Sequence, residues 1–490
     1  MATTYVPREN DLATAGWWPD IQLCMQLFDR LVEAWPERTI VPALAERWEI
    51  SDDGLRYVFH LREGLQWSDG KPLTAHDVEY GVKRVLDPEN PGGSVSVYFV
   101  LENAQDYFFG RNDDADSIGV RARDDRTVEF RLIAPAPYFM NVVNRPDGGP
   151  APRHAIERDG VAWTGLGRQV VSGAFRLESA DDDRLVLVRN ESDMRPRRGN
   201  VSRVEYIGAS ADEAFGPFER SELEMIRVMY TPVSSHHVRT AKTLEGPLTW
   251  FGYLGFDHTH PLVSNADLRR ALAHAIDRDA LADAAPANLV VARGGIVPPA
   301  LHGHTPEIAL PFDAERAREH LERAGGGDAL RVAAHEAWAP MLEVVVSGWR
   351  ETLGLEIDLY LFDAAGLEVR DAAGQPAKIL DLAPVGVLGW LPGYPDPEYM
   401  LRLLLHSEAL TNAGAYASST YDQLIEDARR AQTDRERLAR FHEADQFAVS
   451  VDVALIPFVY GRSTSFVQPQ VEGWWEFAKT SAPYADLTVG

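Results

Sequence analysis

Cysteine occurs once in 490 residues, at Cys24, so neither an intrachain disulfide nor a thiolate zinc cluster can form. Cys24 sits in the apolar run IQLCMQLFDRL and reads as a small buried hydrophobe. Positive charge is also scarce: 48 lysines and arginines face 74 acids, a formal charge of −26. A chain this acidic repels phosphate backbones, which argues against nucleic acid as a partner, and its plainest meaning is solubility or a saline habitat. No segment reaches the roughly 18–20 uninterrupted apolar residues of a membrane span. The first ten residues, MATTYVPREN, lack a basic start, an apolar stretch and a small-residue cleavage site. The expectation is therefore a cytoplasmic protein or one whose export signal has been trimmed.

Catalytic motifs are missing as well. The zinc-protease pattern requires a second His four residues after the first. His335 begins HEAWA and His442 begins HEADQ, and both fail at that position. Neither a G-x-S-x-G nucleophile elbow nor a phosphate-binding G-x-x-x-x-G-K-[ST] loop occurs, and GLGRQV after Thr164 lacks the final small residue of a dinucleotide loop. His236, His237, His302 and His304 have no recognisable partner ligands and read as surface residues. The acidic run NDDADS lacks the central Gly and terminal Glu of a calcium loop. No metal or other cofactor is expected, and no pair of carboxylates stands out as catalytic.

What is present is the composition of a folded protein, 45% hydrophobic and 10% aromatic, in a chain longer than one hydrophobic core supports. Two or three lobes are expected. In LQWSDGKPLTAHDVEY, Asp69-Gly70 is a turn, Thr74 with Asp77 a helix cap, and Val78, Val82, Val85 and Leu86 one apolar helix stripe. The strand-like LRYVFHL precedes it. Hairpins are expected over residues 116–132 and 172–190, and capped helices after Asn265 and Asp313, the second stopped by Gly325 to Gly327. VALIPFVYGRSTSFV reads as two short buried strands. The mixture indicates α/β or α+β architecture, with lobes built from non-contiguous segments.

The span Pro42 to Pro88, PALAERWEISDDGLRYVFHLREGLQWSDGKPLTAHDVEYGVKRVLDP, resembles the signature of family 5 solute-binding proteins, the oligopeptide- and dipeptide-binding receptors of ABC importers. VVSGAFRLES, YLGFDHTHP with ADLRRALAHAIDRDAL, FDAERAREHLERAG, GWLPGYPDPEYML and IPFVYGRSTSFVQPQVEGW follow in the family's order, so the resemblance covers nearly the whole chain. It implies an α/β, periplasmic-binding-protein-like two-lobe fold with an inserted third domain. The first lobe would take residues 1–43, 172–252 and 465–490, the inserted domain 44–171, and the second lobe 253–464, with crossovers near Gly252 and Thr464. Trp67, Asp69 and Gly70 would then be folding punctuation away from the ligand.

The resemblance also implies a non-enzyme. A monomer would capture a small-molecule ligand by hinge closure and pass it to the membrane subunits of an ABC importer, as a periplasmic protein or cell-surface lipoprotein. A cytoplasmic ligand-sensing domain of a regulator, or a hydrolase acting on a cleft-bound substrate, are the alternatives.

The chain departs from the family at one telling place. Peptide receptors of this family hold the peptide's α-ammonium with an Asp three residues after the Trp of G-W. Here that Trp is Trp390 and the place is Gly393. Asp396, three residues further, reads as a loop cap rather than a substitute clamp. Asp257 stands in GFD, where the family usually has Asn. A buried ammonium without a counter-charge is costly, so the expected ligand is an oligosaccharide or other largely neutral solute rather than a free peptide. Trp390, Tyr394, Trp17 and Trp18 are the expected pocket walls, with Gly393 and Asp257 beside them.

Overall fold

The computed structural model describes residues 1–3, 6–16, 18–35, 39–90, 95–228, 243–327, 329–362, 377–477 and 480–490. Trp17, His236 and His237 lie outside the described residues. The chain divides into two compact units, Met1–Arg227 with Ser465–Gly490, and Val228–Thr464.

In the first unit, strands Ala45–Ile50, Arg56–Leu61, Thr127–Arg131 and Val120–Asp124 form a four-stranded antiparallel sheet in that spatial order. Helix Ala75–Val85 starts where the sequence placed it, with the Asp77 carboxylate accepting from Thr74 N at 2.8 Å. Val78, Val82, Val85 and Leu86 are buried, as is Trp67, and Gly70 takes the positive φ (82°) that its turn demands. A second sheet places Ala2–Thr3 parallel between Arg203–Gly208 and Met225–Val228. The hairpin Phe175–Ala180 and Arg184–Arg189 continues it. Helix Trp18–Leu27 is buried along its whole length, and burial pushes the Cys24 thiol well above its ordinary pKa, which keeps it an unreactive core residue.

The second unit carries strands in the order Glu356–Phe362, Ala329–His335, Val385–Trp390, Thr243–Phe256 and Leu455–Val467. The first three are parallel, joined in part through helix Ala339–Leu353, and Thr243–Phe256 runs antiparallel to Val385–Trp390. Helices Ala266–His274 and Ala314–Arg323 begin at Asn265 and Asp313, whose side chains accept from the first-turn amides.

Phe251 and Gly252 pair with Trp390 and Gly389 of the second unit. One expectation fails here for an identifiable reason. VALIPFVYGRSTSFV contributes one 13-residue strand, Leu455–Val467, rather than two short ones. Gly461, inside this strand, marks a close approach: a Cβ there would meet the Trp250 indole at 2.8 Å. Gly252 and Gly389, on neighbouring strands, leave room for the same ring, with corresponding approaches of 2.6 and 2.4 Å. Three glycines on three adjacent strands thus form a floor beneath Trp250, which stacks on Trp338 at 5.8 Å and 12°.

Candidate functional site

The segment after strand Val385–Trp390 concentrates the residues singled out from sequence. The strand ends at Trp390, and Asp396 then opens helix Pro397–Leu405, accepting from Glu398 N at 2.9 Å. Proline at the first helical position costs no hydrogen bond, since that amide has no intrahelical partner. Between them Leu391 to Pro395 form a short loop held from three sides.

Asp396 is buried and engaged on both oxygens by Arg437, each contact 2.8 Å. Arg437 reaches Asp434 as well, at 2.9 Å. Although burial lowers the Arg437 pKa, its hydrogen bonds and charge attraction to Asp396 hold it above the ordinary value. Tyr394 is buried to 2% exposure, and its hydroxyl donates to Glu398 Oε2. The other Glu398 oxygen lies 3.7 Å from Arg402, also buried. Tyr399 ties the aromatic groups together. It stacks on Trp390 at 5.6 Å and meets the Tyr394 ring edge-on at 4.9 Å and 82°. The Trp390 indole N–H donates to Tyr399 O at 3.4 Å.

The structure therefore brings Trp390, Gly393, Tyr394 and Asp396 into one locality, with unequal roles. Trp390 and Gly393 are partly exposed, whereas Tyr394 is an interior strut. Both carboxylates of this segment, Asp396 and Glu398, are already paired with arginines. Asp396 is a cap and a staple, as its place in the sequence suggested.

Asp257 is not brought to this locality. Its amide bonds to Pro384 O, beyond the far end of the ladder whose near end pairs Phe251 with Trp390. At about 3.4 Å per residue, six residues of strand separate the two by roughly 20 Å. Its carboxylate closes a local turn, accepting from the Thr259 amide at 3.0 Å and hydroxyl at 2.6 Å. Trp18 belongs to the first unit and begins the buried helix Trp18–Leu27 at 4% exposure, its indole N–H without a hydrogen bond among the described residues. Nearby Asp20 accepts from the amides of Arg8 and Glu9 at 2.9 and 3.1 Å, while burial raises its pKa.

Sequence reasoning missed Tyr399, Arg437, Arg402 and Trp250. The signal for Trp250 was available in Gly252, Gly389 and Gly461, each inside a strand pattern. Arg437 is 41 residues from Asp396 and carries no local signal. Of the histidines, His302 lies 3.5 Å from Asp434 at the surface, and His304 Nδ1 lies 2.6 Å from Val297 O. No cluster of three metal-ligating side chains and no helix long and apolar enough to cross a membrane occurs among the described residues.

Comparison with known proteins gives this geometry its context. The probable deoxycholate-binding periplasmic protein YgiS of Escherichia coli is 29% identical over 478 residues, covering 92% of this chain and 86% of that protein. The periplasmic oligopeptide-binding protein OppA of Salmonella typhimurium is 27% identical over 482 residues, covering 93% and 86%. The crystal structure of the oligopeptide-binding protein OppAIV of Borrelia burgdorferi superposes with a TM-score of 0.87 at 22% identity, covering 99% of both chains. The fold is thus that of the two-lobe periplasmic binding proteins, and these relatives are binding proteins rather than enzymes. The family model for the middle region of bacterial extracellular solute-binding proteins, family 5, matches residues 39–412, and the chain belongs to that family.

Proposed function

We propose that this protein is the ligand-capturing receptor of an ABC importer, acting outside the cytoplasmic membrane as a monomer and without chemical turnover. Residues 44–171 form a domain inserted in its first lobe. Hinge closure over the solute supplies the signal to the importer, because a ligand contacting both lobes stabilises only the closed state. The relatives include deoxycholate-binding and oligopeptide-binding proteins, so membership of the family leaves the ligand class open.

The observation that carries our reading is the charge inventory of the segment after Trp390. Gly393 offers no carboxylate, and Asp396 and Glu398 are committed to Arg437 and Arg402. Releasing Asp396 would leave the buried Arg437 only the half-exposed Asp434, and releasing Glu398 would take from Arg402 its buried carboxylate, each at a cost of several kcal/mol. A peptide α-ammonium therefore finds no counter-charge in this segment. The partly exposed Trp390 face, braced by Tyr399, suits a sugar ring or another largely neutral or amphipathic solute. Tyr394 acts by holding the loop.

The test is mass spectrometry of the small molecule released from purified protein, followed by titration of that molecule into wild type and Trp390→Ala. Trp390→Ala is expected to weaken binding roughly ten- to a hundredfold, as loss of a central aromatic contact does. The released compound should be recovered unchanged after prolonged incubation with the protein. Unaltered affinity in Trp390→Ala, or steady conversion of the compound, would refute the reading.

A further inference from the structure

Residues 195–198 read Arg-Pro-Arg-Arg, an unusual concentration of positive charge in so acidic a chain. Two of these arginines are spent internally. Arg195 lies 2.6 Å from Asp29 and 3.1 Å from Glu33, and Arg197 lies 2.7 Å from Asp193 and 3.3 Å from Asp29. Arg30 completes the cluster at 2.5 Å from Glu33. Three guanidiniums thus meet three carboxylates, all with side chains at most 10% exposed. This network is neutral in sum, and its buried charges are satisfied by one another.

Two further arginines stand at its edge with capacity left over. Arg62 donates its Nε–H to Ala43 O at 2.7 Å, and its two terminal nitrogens have no partner among the described residues. The Arg198 guanidinium lies over the Trp35 ring, 4.0 Å from the centroid, and its side chain forms no ion pair or hydrogen bond among the described residues. Stacking of this kind fixes the plane of a guanidinium while leaving its in-plane N–H donors available. Arg62 and Arg198 line one open cavity of about 490 Å³ together with Trp35, Glu33, Arg195 and Asp486. Of its two carboxylates, Glu33 is paired with Arg30 and Arg195, and Asp486 accepts from the Arg198 amide at 2.8 Å through one oxygen. The unspent donors facing this space are cationic, and its size matches that of small-molecule sites.

We propose that this cavity in the first unit is a binding site for a small oxyanion, a solute carrying carboxylate or phosphoryl groups, held by the paired guanidiniums of Arg62 and Arg198. Planar guanidinium forks match such groups bidentately, and two of them favour a ligand with two or more anionic groups over a lone monoanion. The buried network below acts as a rigid base that keeps Glu33 from competing for the same donors. The site is separate from the Trp390 segment and does not rest on the ligand proposed there.

Binding of citrate, inorganic phosphate and pyrophosphate is measured by calorimetry and thermal shift, with ionic strength held constant by sodium chloride. At least one of them should bind saturably and raise the melting temperature. A stronger response to citrate identifies a carboxylate ligand, and a stronger response to pyrophosphate a phosphoryl one. In the double variant Arg62→Gln/Arg198→Gln the affinity should fall tenfold or more. Both residues are exposed and outside the buried network, so the unliganded melting temperature should not change. Trp35→Leu should weaken binding less, and Trp390→Ala should leave it unaltered. Absence of saturable binding by all three anions, or equal binding in the double variant, overturns the proposal.

Discussion

Asp396→Ala is expected to destabilise the second unit by about 3–5 kcal/mol, the usual cost of removing one partner from a buried ion pair. The substitution strands the Arg437 guanidinium, whose remaining carboxylate, Asp434, is half exposed at 50% and screened by water. It also removes the cap from helix Pro397–Leu405, a further contribution of about 1 kcal/mol that is partly included in the same figure. Arg437→Met should be similarly costly, because it strands Asp396 in turn. The double variant Asp396→Leu/Arg437→Met should recover much of the loss, since an apolar pair leaves no buried charge behind. Denaturant unfolding of wild type and the three variants measures these differences directly. If Asp396→Ala kept full stability and instead abolished ligand binding, Asp396 would be a ligand group and the staple assignment would be wrong.

The second large effect concerns Asp445, which is 0% exposed. One of its oxygens accepts from Ile296 N at 2.8 Å, and the other, against Gly295, has no hydrogen bond among the described residues. Burial pushes its pKa from the ordinary 3.8 up to about 7, against the opposing influence of the Ile296 amide. An acid whose folded-state pKa is raised binds its proton more tightly when folded. Its contribution is therefore most favourable below about pH 4, is lost progressively as pH rises from about 4 to about 7, and is absent above that. A shift of about 3 units corresponds to roughly 4 kcal/mol across this window. Asp445→Asn keeps the acceptor for Ile296 N and removes the ionisation. Its stability relative to wild type should climb by several kcal/mol between pH 4 and pH 8, then level off. A stability difference independent of pH over that range would show that Asp445 is ionised or solvated in the folded state.

These particular residues also show how far the sequence could be read. Elements specified by neighbours in the chain were legible. The Thr74 and Asp77 cap, the Asn265 and Asp313 helix starts, and both expected hairpins depend on contacts within a few residues. Gly393 was legible for the same reason, as a fixed offset from Trp390. What was not legible depends on side chains meeting across long stretches of chain. Arg437 on Asp396 and Asp445 beneath Gly295 are each made by tertiary packing, over separations of 41 and about 150 residues. That Gly461 marks a close approach was not legible, because a glycine in a strand can mark either a turn or a close approach, and only the position of Trp250 decides between them. The contacts of the expected wall residue Tyr394, its ring on Tyr399 and its hydroxyl on Glu398, were likewise not spelled out by the sequence.

The central claim is that ligand capture here does not use a peptide's amino terminus. Calorimetric titration of tri- and tetrapeptides, each with a free and with an N-acetylated terminus, tests it most directly. A charge-assisted hydrogen bond is worth about 1.5–3 kcal/mol, so a working ammonium clamp would separate the two forms by roughly ten- to a hundredfold. The account predicts weak or absent binding of both forms, with no preference for the free amine. Strong binding of the free peptides, lost on acetylation, would contradict it and require another carboxylate to supply the clamp that Gly393 lacks.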